Sequence, residues 1–212
     1  MKKLLFCISF LLCLSISAQD FRGVIKTEIT YEDISIELKP YLSTFPSLST
    51  SYIRDKKAKT VTSTSTGEII ILTDMVTNDI IQLINQMGSK IAIRMNIEEQ
   101  IKENELPEIE FSDETEEILG YECKKAMYEV EGNEYIIYYT EELPNLTSEY
   151  SLSQIKGYPM KIITISENLT TIATVTEISE ERVKKIKMKI PADYEEMTLE
   201  EIKEMQQKAS GM

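Results

Sequence analysis

Apolar and polar residues alternate with a period of two through much of the chain. Ile91, Ile93, Met95 and Ile97 are interleaved with Ala92, Arg94, Asn96 and Glu98, and Ile186, Met188 and Ile190 with Lys185, Lys187 and Lys189. In an extended chain this period sends one set to a dry face and the other to water, so both segments predict strands. The first strand starts near Phe21, with Ile25, Ile29 and Tyr31 in one phase and Ile34, Ile36 and Leu38 in the other. A phase slip at Glu32-Asp33 without an intervening turn predicts a β-bulge. A second slip falls at Lys124-Lys125, where Tyr121 and Cys123 give way to Ala126, Tyr128 and Val130. Long bulged strands predict a curved antiparallel sheet, mainly β, that forms an incomplete half barrel.

Turn signals at Asp55-Lys56-Lys57, Thr66-Gly67, Met87-Gly88, Leu119-Gly120 and Gly132-Asn133 separate strand-like runs and predict hairpins. Gly132-Asn133 joins Tyr121–Val130 to Tyr135–Thr140, and Met160–Ser166, Thr170–Ile178 and Val183–Ile190 read as three further strands of a meander. Roughly nine or ten strands result. Ile80, Leu83, Ile84 and Met87 fit helical spacing, but the short length and the flanking strands favour a strand. Lys39 to Ser51, rich in Ser, Thr and Pro, reads as a loop, and Glu141 to Gly157 as a second one carrying a helical turn. Thr198-Leu199-Glu200-Glu201 is a capping box ahead of Ile202 and Met205, which predicts a C-terminal helix from about Leu199.

Met1-Lys2-Lys3, the apolar run Leu4–Leu14 and the exit Ser15-Ile16-Ser17-Ala18 read as a secretory signal over residues 1–18, leaving 19–212 as a single domain. Export follows, to the periplasm or alternatively the extracellular space, and the apolar run is too short to anchor the chain across a bilayer. Without Lys2 and Lys3, 21 basic residues face 36 acidic ones, a net charge of −15 that repels nucleic acid. Cys7 and Cys13 leave with the signal, so Cys123 is the lone thiol of the mature chain and reads as a small buried hydrophobe. The residues before Cys7 and Cys13, Phe6 and Leu12, do not fit a lipidation site. Histidine is absent, which excludes Ser-His-Asp triads, Cys-His pairs and His-bearing zinc sites.

The strings Phe21-Arg22-Gly23-Val24-Ile25, Gly88-Ser89-Lys90-Ile91-Ala92, Gly120-Tyr121-Glu122-Cys123-Lys124-Lys125-Ala126, Gly157-Tyr158-Pro159-Met160 and Ile190-Pro191-Ala192-Asp193-Tyr194 occur in this order. Together they resemble an uncharacterised group of exported bacterial proteins related to the LolA-like superfamily of periplasmic lipoprotein carriers. The resemblance implies an incomplete antiparallel barrel around a hydrophobic cavity, lidded by short helices. It implies no activity and carries over no functional residue.

Strands apolar on both phases, such as Tyr135–Tyr139 and Met160–Ile165, need two covered faces, and a ligand can supply one of the covers. The candidate hydrophobic-ligand residues are Ile91, Ile93, Met95, Tyr135, Ile137, Ile163 and Ile165. Lys184, Lys185, Lys187 and Lys189, next to Arg182, form a basic stripe that either faces an anionic partner or guards a strand edge. Carboxylate runs at Glu98-Glu99, Asp113-Glu114, Glu116-Glu117 and Glu195-Glu196 fit solvated turns and helix starts. The sequons at Asn145 and Asn168 read as incidental. The expectation is a monomeric, non-enzymatic exported protein without cofactor, which binds a lipid or lipoprotein acyl chain in the concavity of its sheet. The alternative is an envelope scaffold whose cavity is filled by its own side chains.

Overall fold

The computed structural model describes residues 21–103, 105–145, 150–199, 201, 202 and 204. The expected signal sequence therefore lies outside the described residues, as does the chain beyond 204. Among the described residues twelve strands form: β1 Gly23–Glu32, β2 Leu48–Arg54, β3 Lys57–Thr64, β4 Gly67–Asp74, β5 Asp79–Gln86, β6 Ser89–Asn96, β7 Glu110–Ile118, β8 Tyr121–Val130, β9 Asn133–Thr140, β10 Tyr158–Ile165, β11 Thr170–Ser179 and β12 Glu195–Met197. They make one open, curved sheet in the order β12-β6-β5-β4-β3-β2-β1-β11-β10-β9-β8-β7. Every pairing is antiparallel except β12 with β6.

Tight turns set the hairpins. Residue pairs 55–56, 87–88, 119–120 and 131–132 each hold two consecutive positive φ values, the combination whose twist matches the flanking strands. The last of these turns lies at Glu131-Gly132, one residue before its expected place. Residues 80–86 belong to β5, as their length and flanks suggested.

Bulges bend the sheet. Facing Lys124 and Lys125, the register of β7 jumps from Ser112 to Thr115, so the phase slip in β8 is answered by extra residues on its partner. Two further register shifts sit between Pro159 and Lys161, opposite β9, and between Lys26 and Thr27, opposite β11, so that β1 is bulged at the latter and not at Glu32-Asp33. There β1 stops, and Ile34, Ile36 and Leu38 leave the sheet for a bend and turn leading into a 3₁₀ segment, Lys39–Thr44. Their alternation is that of an irregular segment in which Ile36 is 80% exposed.

Curvature closes one face on itself. β3 and β8 stand six positions apart, about 29 Å in a flat sheet. Yet Ile53 and Ala58 share a buried cluster with Ile118, Cys123, Met160 and Val175. This inner face is thus largely filled by its own side chains. Further along, the 3₁₀ segment Tyr150–Gln154 lays Leu152 and Ile155 over Ala126, Tyr128, Ile137 and Tyr139. The Asn145 amide holds that cover, donating from Nδ2 to the carbonyls of Leu152 at 2.9 Å and Ile155 at 2.8 Å. Asn145→Asp is expected to destabilise the fold by about 1–3 kcal/mol, seen as a lower urea midpoint, because it removes the amide donor from the part-buried Leu152 and Ile155 carbonyls, the first of which keeps only the Ile155 N–H, and points an anion at both.

Four segments differ from expectation, the first being residues 48–51, which fall in the expected loop but open β2. Val183–Ile190 is not a strand: it crosses the outer face as an extended strap without ladder bonds, its alternation kept because one side is pressed onto the sheet. Glu110–Ile118, with its carboxylates, is an edge strand and not a turn, and there the charges and the bulge guard the open edge. The β6 alternation ends at Asn96, whose Oδ1 accepts from the Glu98 N–H at 3.0 Å and starts a helix, α1, over Ile97–Glu103. The expected capping box is in place: the Thr198 N–H donates to Glu201 Oε2 at 2.8 Å, the Glu201 N–H to Thr198 Oγ1 at 3.2 Å. Leu199, Glu201, Ile202 and Glu204 are helical.

Candidate functional site

Two recesses lie on opposite faces of the same strands. On the inner face, residues from β1 to β4, β10 and β11 enclose a hollow of about 250 Å³ between the curving sheet and Leu152. Its wall alternates in chemistry. Ile29, Ile53, Ile71, Ile162 and Ala173 are apolar, while Thr27, Ser49, Ser51, Thr60, Thr62 and Thr73 carry hydroxyls. The register places these hydroxyls directly opposite one another, so Ser51 and Thr60 bond at 2.9 Å and Ser49 and Thr62 at 3.0 Å. Paired in this way, they offer methyl and methylene groups to the hollow more than free polar atoms. Burial pushes the Tyr158 hydroxyl up, opposed by its hydrogen bond with Ser51.

On the outer face, the strap presses Val183 and Ile186 onto Val24, Leu72, Leu83 and Ala92. Arg54 Nη1 donates to the Val183 carbonyl at 3.0 Å at one end, and Lys90 binds Asp193 at 2.6 Å at the other. Between strap and sheet remains a trough of about 740 Å³ floored by Val24, Val61, Ile70, Leu72 and Leu83.

The structure divides the sequence-derived ligand residues. Ile91, Ile93 and Met95 face inward on β6, and Tyr135 and Ile137 face inward on β9, eight positions away in the sheet. Ile163 and Ile165 pair with Ile136 and Glu134 and point to the outer face. None of the seven lines the hollow. The hollow's wall was hidden because β2 and β3 carry Ser and Thr where a hydrophobic period would mark a strand; the usable signal was the hydroxyls recurring at every second position, 49, 51, 60 and 62. Lys184, Lys185, Lys187 and Lys189, by contrast, line the trough together. They guard no edge, since the strap pairs with no strand.

Cys123 is fully buried, and burial pushes its thiol up, away from the reactive thiolate. Among the described residues no cluster of His, Cys, Asp or Glu is arranged to hold a metal ion. Asp74 is the one carboxylate among the described residues that is largely out of water, with its side chain 7% exposed. Burial raises it, but hydrogen bonds from Lys57 and the N–H groups of Val76 and Thr77 outweigh burial and hold it below 3.8. A carboxyl lowered on folding stabilises above its unfolded value and loses that contribution as pH falls through the lowered one. Wild type is therefore expected to lose stability steeply below about pH 4, and Asp74→Asn to show a flatter profile there, measured as thermal midpoint against pH.

The chain matches the family described as N-glycanase peptide, N-terminal domain, over residues 30–203. Among solved structures, PNGF-II in a C2 crystal form superposes with a TM-score of 0.58 at 16% identity, covering 89% of this chain and 33% of that one. PNGF-II in a P21 form gives 0.56 at 15% identity, covering 86% and 33%. The chain thus spans about a third of the length of PNGF-II. The lipoprotein LppX of Mycobacterium tuberculosis reaches 0.36 at 10% identity, covering 80% of this chain and 93% of that one, a superposition too loose to define a shared fold. No curated protein matches the chain. Among the described residues no helix is long and apolar enough to cross a membrane.

Proposed function

The chain belongs to the family of N-glycanase peptide N-terminal domains, and from that premise we propose that it is a non-catalytic binding module, exported to the periplasm or beyond, that seats the end of an acyl chain from a lipid or lipoprotein on its inner face. The observation that carries this is the hollow left open where the rest of the inner face is filled. Its lining has no carboxylate, thiol or imidazole, and its one phenol, Tyr158, is pushed up by burial and tied to Ser51, so the hollow offers mainly shape and burial. A space of about 250 Å³ is below the usual range for a whole small-molecule ligand and suits only part of one.

A second reading, an interaction scaffold with a self-filled concavity, is favoured by the buried cluster around Met160, Cys123 and Ile53. Native mass spectrometry of the protein from an envelope extract, before and after organic extraction, separates the two. A stoichiometric lipid or acyl chain is expected, and Ala173→Leu, which fills the hollow from its wall without removing a polar group, is expected to lower occupancy about tenfold with the fold intact. A bare polypeptide mass, with no thermal stabilisation by fatty acids or phospholipid, overturns the binding module and leaves the scaffold.

A further inference from the structure

Among the described residues nine Lys and Arg side chains pair with a carboxylate and ten do not, and six of those ten gather at one place while Lys39, Lys56, Lys102 and Lys156 are scattered. Lys26, Lys57, Lys90, Lys124, Lys125 and Lys161 each meet a carboxylate, as do Arg22, Arg54 and Arg94. Around the outer trough, Lys59, Arg182, Lys184, Lys185, Lys187 and Lys189 do not, although the chain carries 36 acidic residues. Glu181 is the one carboxylate in the lining. Six unpaired cations thus rim an apolar floor of Val24, Val61, Ile70, Leu72 and Leu83. Cations held together without anions repel one another and are relieved by a bound negative charge. An apolar floor beneath them is relieved of water by a hydrocarbon chain.

We propose that the strap trough is a binding site for a single-chain anionic amphiphile, its chain on the sheet beneath the strap and its phosphate or carboxylate among the strap lysines. Three features support it. A volume of about 740 Å³ falls within the range of small-molecule sites. The strap turns Val183 and Ile186 inward and leaves Lys184, Lys185 and Lys187 exposed, so one segment supplies both chemistries. Arg54 and Lys90 fix the strap at both ends, which keeps the trough formed without a ligand. The site is separate from the inner hollow and does not depend on it.

The test is calorimetric titration of the full chain with dodecyl phosphate below its micellar concentration. One-to-one binding is expected, about tenfold tighter than that of uncharged dodecyl maltoside and weakened about tenfold by high salt. K184Q/K185Q/K187Q/K189Q, all exposed positions, is expected to weaken dodecyl phosphate about tenfold with the thermal midpoint unchanged. Ala173→Leu, in the other recess, is expected to bind it as wild type does. Equal binding of dodecyl maltoside, equal binding of inorganic phosphate, unchanged affinity in the four-lysine variant, or binding only to phosphatidylglycerol vesicles would each overturn the proposal. So would loss of binding in Ala173→Leu.

Discussion

Met160→Ala is expected to lower the unfolding free energy by about 3 kcal/mol, within the range of Met-to-Ala truncations in closed cores. Met160 is 0% exposed and lies on β10 within the cluster that spans the curl of the sheet. Its neighbours there, Ile25, Ile53, Ala58, Cys123 and Val175, come from β1, β2, β3, β8 and β11. Those backbones are tied into ladders and cannot close on the space a lost side chain leaves, so the cavity term stays near its upper end. Urea denaturation measures the loss. The control is Ile165→Ala on the outer face, 38% exposed, where a change of under about 0.5 kcal/mol is expected. Equal effects at the two positions would show that curvature is set by the bulges and not by the inner cluster.

Substituting the strap's two anchors has the second large effect. Val183 and Ile186 are 6% and 8% exposed against Val24, Leu72 and Leu83. Val183→Asp with Ile186→Asp removes about 1.5 kcal/mol of burial at each position and places carboxylates where the surface is apolar. Because the strap carries no ladder bonds, it can lift away without breaking any in the sheet. The expected result is therefore detachment with the sheet still folded. Some 3 kcal/mol raises the detached population roughly a hundredfold, read as faster trypsin cleavage between Arg182 and Lys189, and dodecyl phosphate binding is lost. Cleavage unchanged from wild type would mean that Arg54 and the Lys90–Asp193 pair alone seat the strap.

How much of this was legible depended on what each residue could signal by itself. The period of two and the turns marked the strands where apolar residues occupied the inner face, as in β6, β8 and β9, whereas β5, with apolar residues at helical spacing, was marked only by its length and flanks. The bulge opposite Lys124-Lys125 showed as a phase slip, and Thr198 with Glu201 showed the helix start. β2 passed for a loop because Ser49, Ser51 and their Thr partners face a small hollow and need not be hydrophobic. The strap passed for a strand because pressing an extended chain onto a surface produces the same alternation as pairing it. Sequence periodicity reports which side of a segment is dry; it does not report whether the neighbour is a strand edge or a sheet face. Site residues were least legible. Ile137 and Ile163 look equivalent on the page, and only the register shows that one faces inward and the other outward.

The position of β1 at the centre of the sheet governs how the molecule is assembled. β1 to β6 form an unbroken run of neighbours, and so do β7 to β11, but the two runs meet only where β1 pairs with β11, whose residues lie about 150 positions further along. Local hairpins close in microseconds, whereas this seam waits for both runs and for the slow closure of a long loop. Until then each run presents one long bare edge, β1 or β11, with the complementary sequence available on any other copy. The misassembly this topology invites is a swapped pair, in which the first half of one molecule completes the second half of another. Its yield during refolding should rise with protein concentration while the native fold, once sealed, persists.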